Sequence, residues 1–331
     1  MANLVDDASK PERPQTSRPA EQRMNGALGD KAVETIEPGS DAFVAATRII
    51  AARLAAREWI CRTLTTLQHL RVNASILAVR AVDDLSRDEF VNEYYSTNKP
   101  VVLKGIAGDW PALRLWTPPY LKAVCGGEDV EIMMNRDTVR PADQSVSDRI
   151  RTHIKFGEYL DLVYNGGSTN DYYMVARNNF FASDASRQLL RDITWPAPII
   201  QPDPECNYTR MWFGPAGTVT SLHHDGRNNL VVQVSGRKRF RLYSPLCAEY
   251  LYQREAFYSA VDCEDPDTTR FPSFHKAAGT VTELEPGDGL FVPVGWWHHV
   301  RALEPSMTLT FANFGLCNDF PYSRTWRFGV K

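Results

Sequence analysis

Apolar residues recur at helical spacing in the first long hydrophobic segment of the chain, between residues 41 and 71. Phe43, Ala46 and Ile50 fall on one side of a helical projection, and Ser40 is a suitable N-cap. The pattern predicts one long helix or a helical pair. Its arginines would also suit a membrane-surface helix, but we interpret them as the solvated face of a helix that packs on the main domain.

From about residue 80 the pattern changes to short apolar runs separated by Gly, Pro and polar residues. Helices are predicted at SRDEFVNEYY and PPYLKAV, a turn at DWPALRLW, and strands at KPVVLKG, VEIMM, YYMVA, RMWFG, NLVVQVSG, RFRLYSP, TVTELEPGDG, LFVPV and SMTLTFANF. Many short strands at this spacing predict a sandwich or barrel. The sequence contains no βαβ alternation, internal repeat, GxGxxG motif or P-loop motif, which argues against dinucleotide-binding and NTPase folds.

The ends of these patterns predict three parts of the chain. Residues 1–40 are rich in Pro, Ser and charged residues without apolar periodicity, which predicts a disordered tail. A helical extension is predicted over residues 41–80 and one main domain over residues 81–331.

Composition adds few constraints. The 331 residues are 43% hydrophobic and 23% charged with a net charge of -3, which gives no reason to expect direct binding to nucleic acid. Six cysteines without a CxxC motif suggest neither a structural zinc site nor a disulfide framework. No apolar run reaches the ~18 residues of a membrane helix, and the polar N-terminus has no signal core, so we predict a cytoplasmic protein without membrane contact.

The hexapeptide TSLHHD brings two of the seven histidines next to an aspartate. In an extended segment His223 and Asp225 point to one face and His224 to the other. Downstream, PGDGLFVPVGWWHHV places His298 and His299 at the end of another apolar run. An H-x-D pair alone is more often a surface turn, but four of seven histidines at two such sites favour a metal centre. Two histidines and one carboxylate leave positions open on non-haem Fe(II).

The segments TSLHHD, NNLVVQVSGRKRFRLYSP and PGDGLFVPVGWWHHV resemble, without gaps, the JmjC (cupin-like) Fe(II)- and 2-oxoglutarate-dependent oxygenases. The resemblance covers most of residues 85–320. It implies a mainly β fold, a double-stranded β-helix (jelly-roll) barrel with flanking helices and an N-terminal helical extension. It also implies His223, Asp225 and His298 as iron ligands, with the two neighbouring histidines in supporting positions.

The same resemblance implies a site for 2-oxoglutarate. Lys238 matches the cation that pairs with the far carboxylate, and Thr220 matches its hydroxyl partner; a buried lysine needs such an anion, whereas a solvated lysine in a basic hairpin would not. Tyr173, Asn229 and Asn313 match polar positions around 2-oxoglutarate and could equally be hydrogen-bonding residues of the core. Fe(II), 2-oxoglutarate and O2 are thus the implied cofactor and cosubstrates.

Within the family, WFGPAGTVTSLHHD, GRKRFRLYSP, VDCEDPDTTRFPSF and HHVRALEPSMTLTF are most similar to the branch of arginyl hydroxylases that has also been described as histone lysine demethylases. This implies hydroxylation of an amino-acid side chain, arginine first, in a protein or peptide. Glu131 and Trp212 match positions near the substrate site, where a carboxylate would pair with a guanidinium. The segment that follows Glu131 departs from the branch and lacks its aromatic residue.

Three other functions remain open from the residues. The chain could hydroxylate a free amino acid or natural-product intermediate, demethylate N-methyl lysine, or act as a non-catalytic cupin-like sensing module. The complete ligand set argues against the last of these. We expect a monomer, with dimerisation through the helix over residues 41–71 as the alternative.

Overall fold

A computed structural model describes residues 39–72, 79–81, 83, 85–139, 150–196, 198–254, 257–318 and 320. The tail predicted over residues 1–40 lies outside this part of the chain except for its last two residues. The chain divides into two compact units, one up to Arg57 and one from Glu58 onward. Every described strand lies in the second unit. The domain boundaries after residues 40 and 80 stay predictions.

One long helix, α1, confirms the first expectation. It runs over Asp41–Val72 without interruption. The other described helices are short: α2 Arg87–Phe90, which a π-helical turn Val91–Tyr95 extends, α3 Ala112–Leu115, α4 Pro118–Cys125, α5 Phe156–Asn165 and α6 Asp184–Arg187. No helix in the described ranges combines the length and the hydropathy that crossing a bilayer requires.

The helix predicted at SRDEFVNEYY begins with a capping box. The Ser86 hydroxyl accepts from the Glu89 N–H, and the Glu89 carboxylate accepts from the Ser86 N–H, so two otherwise unpaired backbone groups at the helix start are satisfied. The turn predicted at DWPALRLW contains one turn of helix instead, α3. Helix α5 was missed, although its apolar residues recur at helical spacing.

In the described part of the chain, twelve strands form three sheets. The strands are β1 Val79–Ala81, β2 Val101–Lys104, β3 Asp129–Met133, β4 Arg151–Lys155, β5 Thr209–Gly214, β6 Val219–His224, β7 Asn229–Ser235, β8 Lys238–Tyr243, β9 Gly279–Leu284, β10 Gly289–Val292, β11 Trp297–Ala302 and β12 Ser306–Phe311. Six strands pair in the order β1-β2-β10-β7-β12-β5 and four in the order β6-β11-β8-β9, while β3 and β4 form a hairpin. All pairs are antiparallel except β1 with β2.

The hydrophobic core lies on both faces of the six-stranded sheet. One large cluster joins this sheet to α2, α4 and α5 and includes Phe90, Leu121 and Phe156. A smaller cluster joins the other face of the six-stranded sheet to the four-stranded sheet and includes Val231 and Phe240. The prediction of a mainly β, jelly-roll fold of the cupin type is therefore confirmed, as two antiparallel sheets that share a core.

One predicted strand was wrong. The run YYMVA forms only isolated bridges, Tyr173 with Met133 and Met174 with Phe213. The run passes from the β3–β4 hairpin to β5 and pairs for a single residue with each, so no ladder can develop.

The β7–β8 turn depends on a glycine. Gly236 has φ +64°, a conformation that side chains rarely adopt, and a Cβ there would lie 2.1 Å from the Pro305 carbonyl oxygen. The turn matters for the site because Lys238, two residues later, begins β8.

Candidate active site

Strand register brings the two predicted histidine ligands together. Strands β6 and β11 pair so that His298 lies directly opposite His223, with their ring centroids 4.1 Å apart. Asp225 follows the last residue of β6. One ligand atom from each of these three residues lies within 4.8 Å of the others. A single cation could therefore contact all three.

Backbone carbonyls fix the orientation of both imidazoles. His223 Nδ1 lies 2.8 Å from the Ser221 carbonyl oxygen, and His298 Nδ1 lies 3.0 Å from that of Trp296. A carbonyl can only accept, so each Nδ1 carries a proton, and a neutral imidazole held in this way has its lone pair on Nε2. The two Nε2 atoms lie 4.0 and 3.8 Å from the Asp225 carboxylate oxygens. Metal-binding histidines commonly donate their other ring N–H to a backbone carbonyl in this way.

The protonation and orientation of these ligands also suit a metal. Burial, followed by the nearby charge of His223, lowers the pKa of His298 to about 4, so its imidazole is neutral at neutral pH. Asn229 Nδ2 donates a hydrogen bond of 2.6 Å to Asp225 Oδ2 and holds the carboxylate in place. Two imidazoles and one carboxylate on one side fit Fe(II) with open positions.

Lys238 lies in the same cavity with its charge almost fully buried. The residue is 2% exposed, and in the described part of the chain its ammonium has one hydrogen-bond partner, the Tyr173 hydroxyl at 3.2 Å. A neutral hydroxyl does not offset the desolvation of an ammonium ion. The site therefore fits a ligand that brings a carboxylate, as 2-oxoglutarate would.

A cavity of about 640 Å³ between the two large sheets contains these groups. Eight of the ten predicted site residues line it: Tyr173, Trp212, Thr220, His223, Asp225, Asn229, Lys238 and His298. His224 is buried, with its ring edge-on against Trp297 and the ring centroids 4.6 Å apart.

Two predicted residues do not line the cavity in the described structure. The Asn313 side chain lies two residues beyond β12 and donates to the Pro202 carbonyl at 3.4 Å. The Glu131 carboxylate forms an ion pair with Arg151 of the neighbouring strand, and Arg151 lines the cavity in its place.

Sequence reasoning missed several residues of the cavity wall, among them Arg136, Arg151, Arg210, Arg227, Thr308 and Thr310. Alternation along the strands could have located some of them. Arg210 shares a face of β5 with Trp212, and Thr308 shares a face of β12 with Thr310. The turn residue Arg227 has no such signal in the sequence.

Comparison with known proteins identifies the family of the chain. The family model of the cupin-like domain matches residues 86–314, which is more than half of the chain. Lysine-specific demethylase 8 of Xenopus tropicalis is 34% identical over 239 residues, which cover 68% of this chain and 50% of the relative. Lysine-specific demethylase JMJ30 of Arabidopsis thaliana is 32% identical over 233 residues, 69% of this chain and 52% of the relative.

A further relative carries a different kind of name. The tRNA wybutosine-synthesizing protein 5 of Gallus gallus is 28% identical over 243 residues, 70% of this chain and 75% of the relative. The chain spans about half the length of the two demethylases that it matches. From the match to the domain model and these relatives, the chain belongs to the JmjC group of the cupin-like domain family.

Proposed function

We propose that the protein is an Fe(II)- and 2-oxoglutarate-dependent hydroxylase that acts on an amino-acid side chain in a protein or peptide. The observation that carries this proposal is one cavity in which a two-histidine, one-carboxylate set converges and a buried lysine has no described anionic partner. The proposed setting is a cytoplasmic monomer.

In this proposal His223, Asp225 and His298 hold Fe(II), and Asn229 keeps the Asp225 carboxylate turned toward it. Lys238 binds the far carboxylate of 2-oxoglutarate. Bound Fe(II), 2-oxoglutarate and O2 would supply the oxidising chemistry, in which 2-oxoglutarate becomes succinate and CO2 and one oxygen atom enters a C–H bond of the substrate.

The other residues of the cavity position and shield the reacting groups. The Tyr173 hydroxyl accepts a hydrogen bond from the Lys238 ammonium, and the Tyr173 ring lies 5.9 Å from that of Trp212. Thr220 lines the cavity on β6, three residues before the first histidine ligand, where its hydroxyl can meet the same carboxylate as Lys238. Aromatic walls of this kind limit the access of water to a reacting centre.

Which amino acid of the substrate is hydroxylated is a separate question. Arginine is expected from the resemblance, with the Glu131 carboxylate as a partner for its guanidinium, and that carboxylate is paired with Arg151. The proposal therefore keeps side-chain hydroxylation, while arginine as the substrate stays a prediction from resemblance.

The test is succinate formation from 2-oxoglutarate by the Fe(II)-loaded protein in air, with pools of peptides as substrates. We expect turnover that His223→Ala abolishes, together with the gain of one oxygen atom on a peptide. Binding of Mn(II), measured by calorimetry, should fall in the same variant. Metal binding without any consumption of 2-oxoglutarate would favour the non-catalytic sensing module.

Demethylation of N-methyl lysine is the second candidate because two of the relatives are named lysine-specific demethylases. The same assay separates the two reactions, since demethylation releases formaldehyde and leaves the peptide without one methyl group. Free amino acids added in place of peptides test the hydroxylation of a small substrate.

A further inference from the structure

The wall of the active-site cavity is strongly cationic. Among the described residues that line it, five carry a positive charge and one a carboxylate: Arg136, Arg151, Arg210, Arg227 and Lys238 against Asp225. The chain as a whole has a net charge of -3. The positive charge is thus a local property of the cavity and does not follow from the composition of the protein.

The proposed iron and 2-oxoglutarate do not neutralise this excess. An Fe(II) dication, one aspartate, one lysine and the 2-oxoglutarate dianion together have no net formal charge. The four arginines lie outside that balance, so their charge remains for the substrate or for neighbouring protein groups to meet.

Two of the four arginines are not available to a substrate, one because it is ion-paired and the other because it is buried in the wall. Arg151 pairs with Glu131. Arg136 is 2% exposed and donates to the Asn170 side chain at 2.9 Å and to the Val219 carbonyl at 2.6 Å. Burial lowers the pKa of Arg136 to about 10, so it remains charged, but it lies under the Tyr173 ring and serves the wall itself.

Arg210 is held in position by neutral groups. Its guanidinium donates to the carbonyl oxygens of Cys206, Asn207 and Thr209 at 2.7 to 3.0 Å. Carbonyl oxygens orient the guanidinium without cancelling its charge. Trp212, two residues away on β5, lines the same cavity. Arg210 is therefore a fixed positive group on the wall next to an aromatic side chain.

Arg227 lies in the turn that follows the metal ligand Asp225, and its side chain is exposed although it lines the cavity. Within the described residues its guanidinium forms no hydrogen bond or ion pair. It is thus a cation at the rim of the cavity that is available to an incoming molecule.

We infer that the substrate carries carboxylate groups, and that Arg227 at the rim and Arg210 in the wall bind them. This rests on the proposed function and names its substrate class: an acidic peptide segment or a free dicarboxylic amino acid. A guanidinium offers a planar pair of donors that matches a carboxylate, whereas a substrate arginine would be repelled by this wall.

The test uses the Fe(II)-loaded protein with 2-oxoglutarate and three peptide pools that share random positions. Fixed positions are Asp or Glu in the first pool, Asn or Gln in the second and Lys or Arg in the third. Free aspartate and glutamate, with free asparagine and glutamine as their amide counterparts, form a further arm. The gain of one oxygen atom is measured by mass spectrometry. We expect the acidic pool or the free acids to react about tenfold faster than their amide counterparts, as one charge-assisted hydrogen bond would give.

Charge reversal provides the sharper comparison. Arg227→Gln should remove the preference for acidic substrates, and Arg227→Glu should shift it toward the Lys or Arg pool. Arg114→Gln is the matched control, because Arg114 is also exposed and does not line the cavity. Preference for free acids over acidic peptides would identify the small substrate as the source of the carboxylate.

A binding measurement without iron separates this inference from the proposed function. Fluorescence anisotropy of a labelled glutamate-rich peptide and its glutamine counterpart is followed on the metal-free protein and on the Arg227 and Arg114 variants. Charge-selective binding that only Arg227→Glu abolishes, without turnover, would sustain the inference and overturn the hydroxylase. Turnover that depends on His223, with equal rates for all pools or a preference for Lys and Arg, would overturn the inference alone. Absence of both would overturn both.

Discussion

The Asp225 carboxylate is held by Asn229 on one side and faces two imidazoles on the other. An amide that orients a carboxylate in this way acts on metal affinity without touching the metal. The resemblance placed Asn229 near 2-oxoglutarate, while the structure gives it a direct bond to a proposed ligand. A substitution at Asn229 therefore tests its effect on metal affinity separately from any effect on the affinity for 2-oxoglutarate.

Asn229→Ala should weaken Mn(II) binding by about 10- to 100-fold, because the carboxylate loses its orienting donor. Calorimetric titration of the metal-free protein measures the change. Asn313→Ala is the matched control, since that side chain lies outside the cavity wall, and it should leave the affinities for metal and for 2-oxoglutarate unchanged. A loss of 2-oxoglutarate affinity in Asn313→Ala would restore the role that resemblance gives this residue.

Lys238→Met should have opposite effects on binding and on stability. Loss of the ammonium should raise the KM for 2-oxoglutarate by about 10- to 100-fold, the range of a charge-assisted hydrogen bond. The free energy of unfolding without 2-oxoglutarate should rise by about 1 kcal/mol or more, because a buried charge without an anion is replaced by an apolar side chain. Urea unfolding and initial rates measure the two effects. A large loss of stability at unchanged KM would contradict the assignment.

At the scale of elements, register is what assembles the site. His223 and His298 lie opposite each other because β6 pairs with β11 in one register, and a slip of one residue would turn one of the two away. The β7–β8 turn sets the start of β8 in the same way. Lys238 depends on it.

Gly236→Ala should destabilise the fold by about 1–3 kcal/mol, because the position has a positive φ and no space for a Cβ. Since Lys238 follows two residues later, the KM for 2-oxoglutarate should rise as well. Gly127→Ala is the control, with no atom within 4 Å of an added Cβ. Thermal unfolding and the KM for 2-oxoglutarate are the measurements, and an unchanged KM in a folded variant would show that the turn does not position Lys238.

The sequence was informative where chemistry and strand pattern are local. TSLHHD places His223 and Asp225 two residues apart, so this pair could be proposed from the residues alone. GWWHHV offers two adjacent histidines, and the choice of His298 came from the resemblance. Glu131 could not be assigned in the same way, because its partner Arg151 enters from another strand beyond a long connection. The cationic wall likewise forms only when β4, β5 and the turn after β6 come together.

The whole molecule should respond to acid through its buried histidines. Burial is the largest cause that lowers the pKa of His224, and it lowers the pKa of His298 and His299 to about 4. The pKa of each of these histidines is therefore lower in the folded protein than its ordinary value of ~6.5, so the histidines bind protons more tightly in the unfolded chain. The stability that neutral histidines provide is complete above about pH 6.5 and is lost as the pH falls toward 4.

For the metal-free protein, urea unfolding at about pH 7.5 and about pH 5 measures this loss. His298 and His299, whose pKa is lowered to about 4, should each reduce the free energy of unfolding by about 2 kcal/mol at the lower pH. His299→Gln should reduce the difference between the two pH values, whereas His275→Gln, at an exposed histidine, should not. An equal pH dependence in both variants would mean that other groups carry it.

If the buried lysine at the start of β8 binds 2-oxoglutarate as proposed, it would also link the lifetime of the protein to the supply of a metabolite. A ligand that binds only the native state lowers the fraction of molecules that open far enough to be cleaved. Added 2-oxoglutarate should therefore slow digestion by a non-specific protease in wild type and have little effect in Lys238→Met. The abundance of this protein in a cell would then follow the concentration of 2-oxoglutarate through degradation, independently of any change in its synthesis.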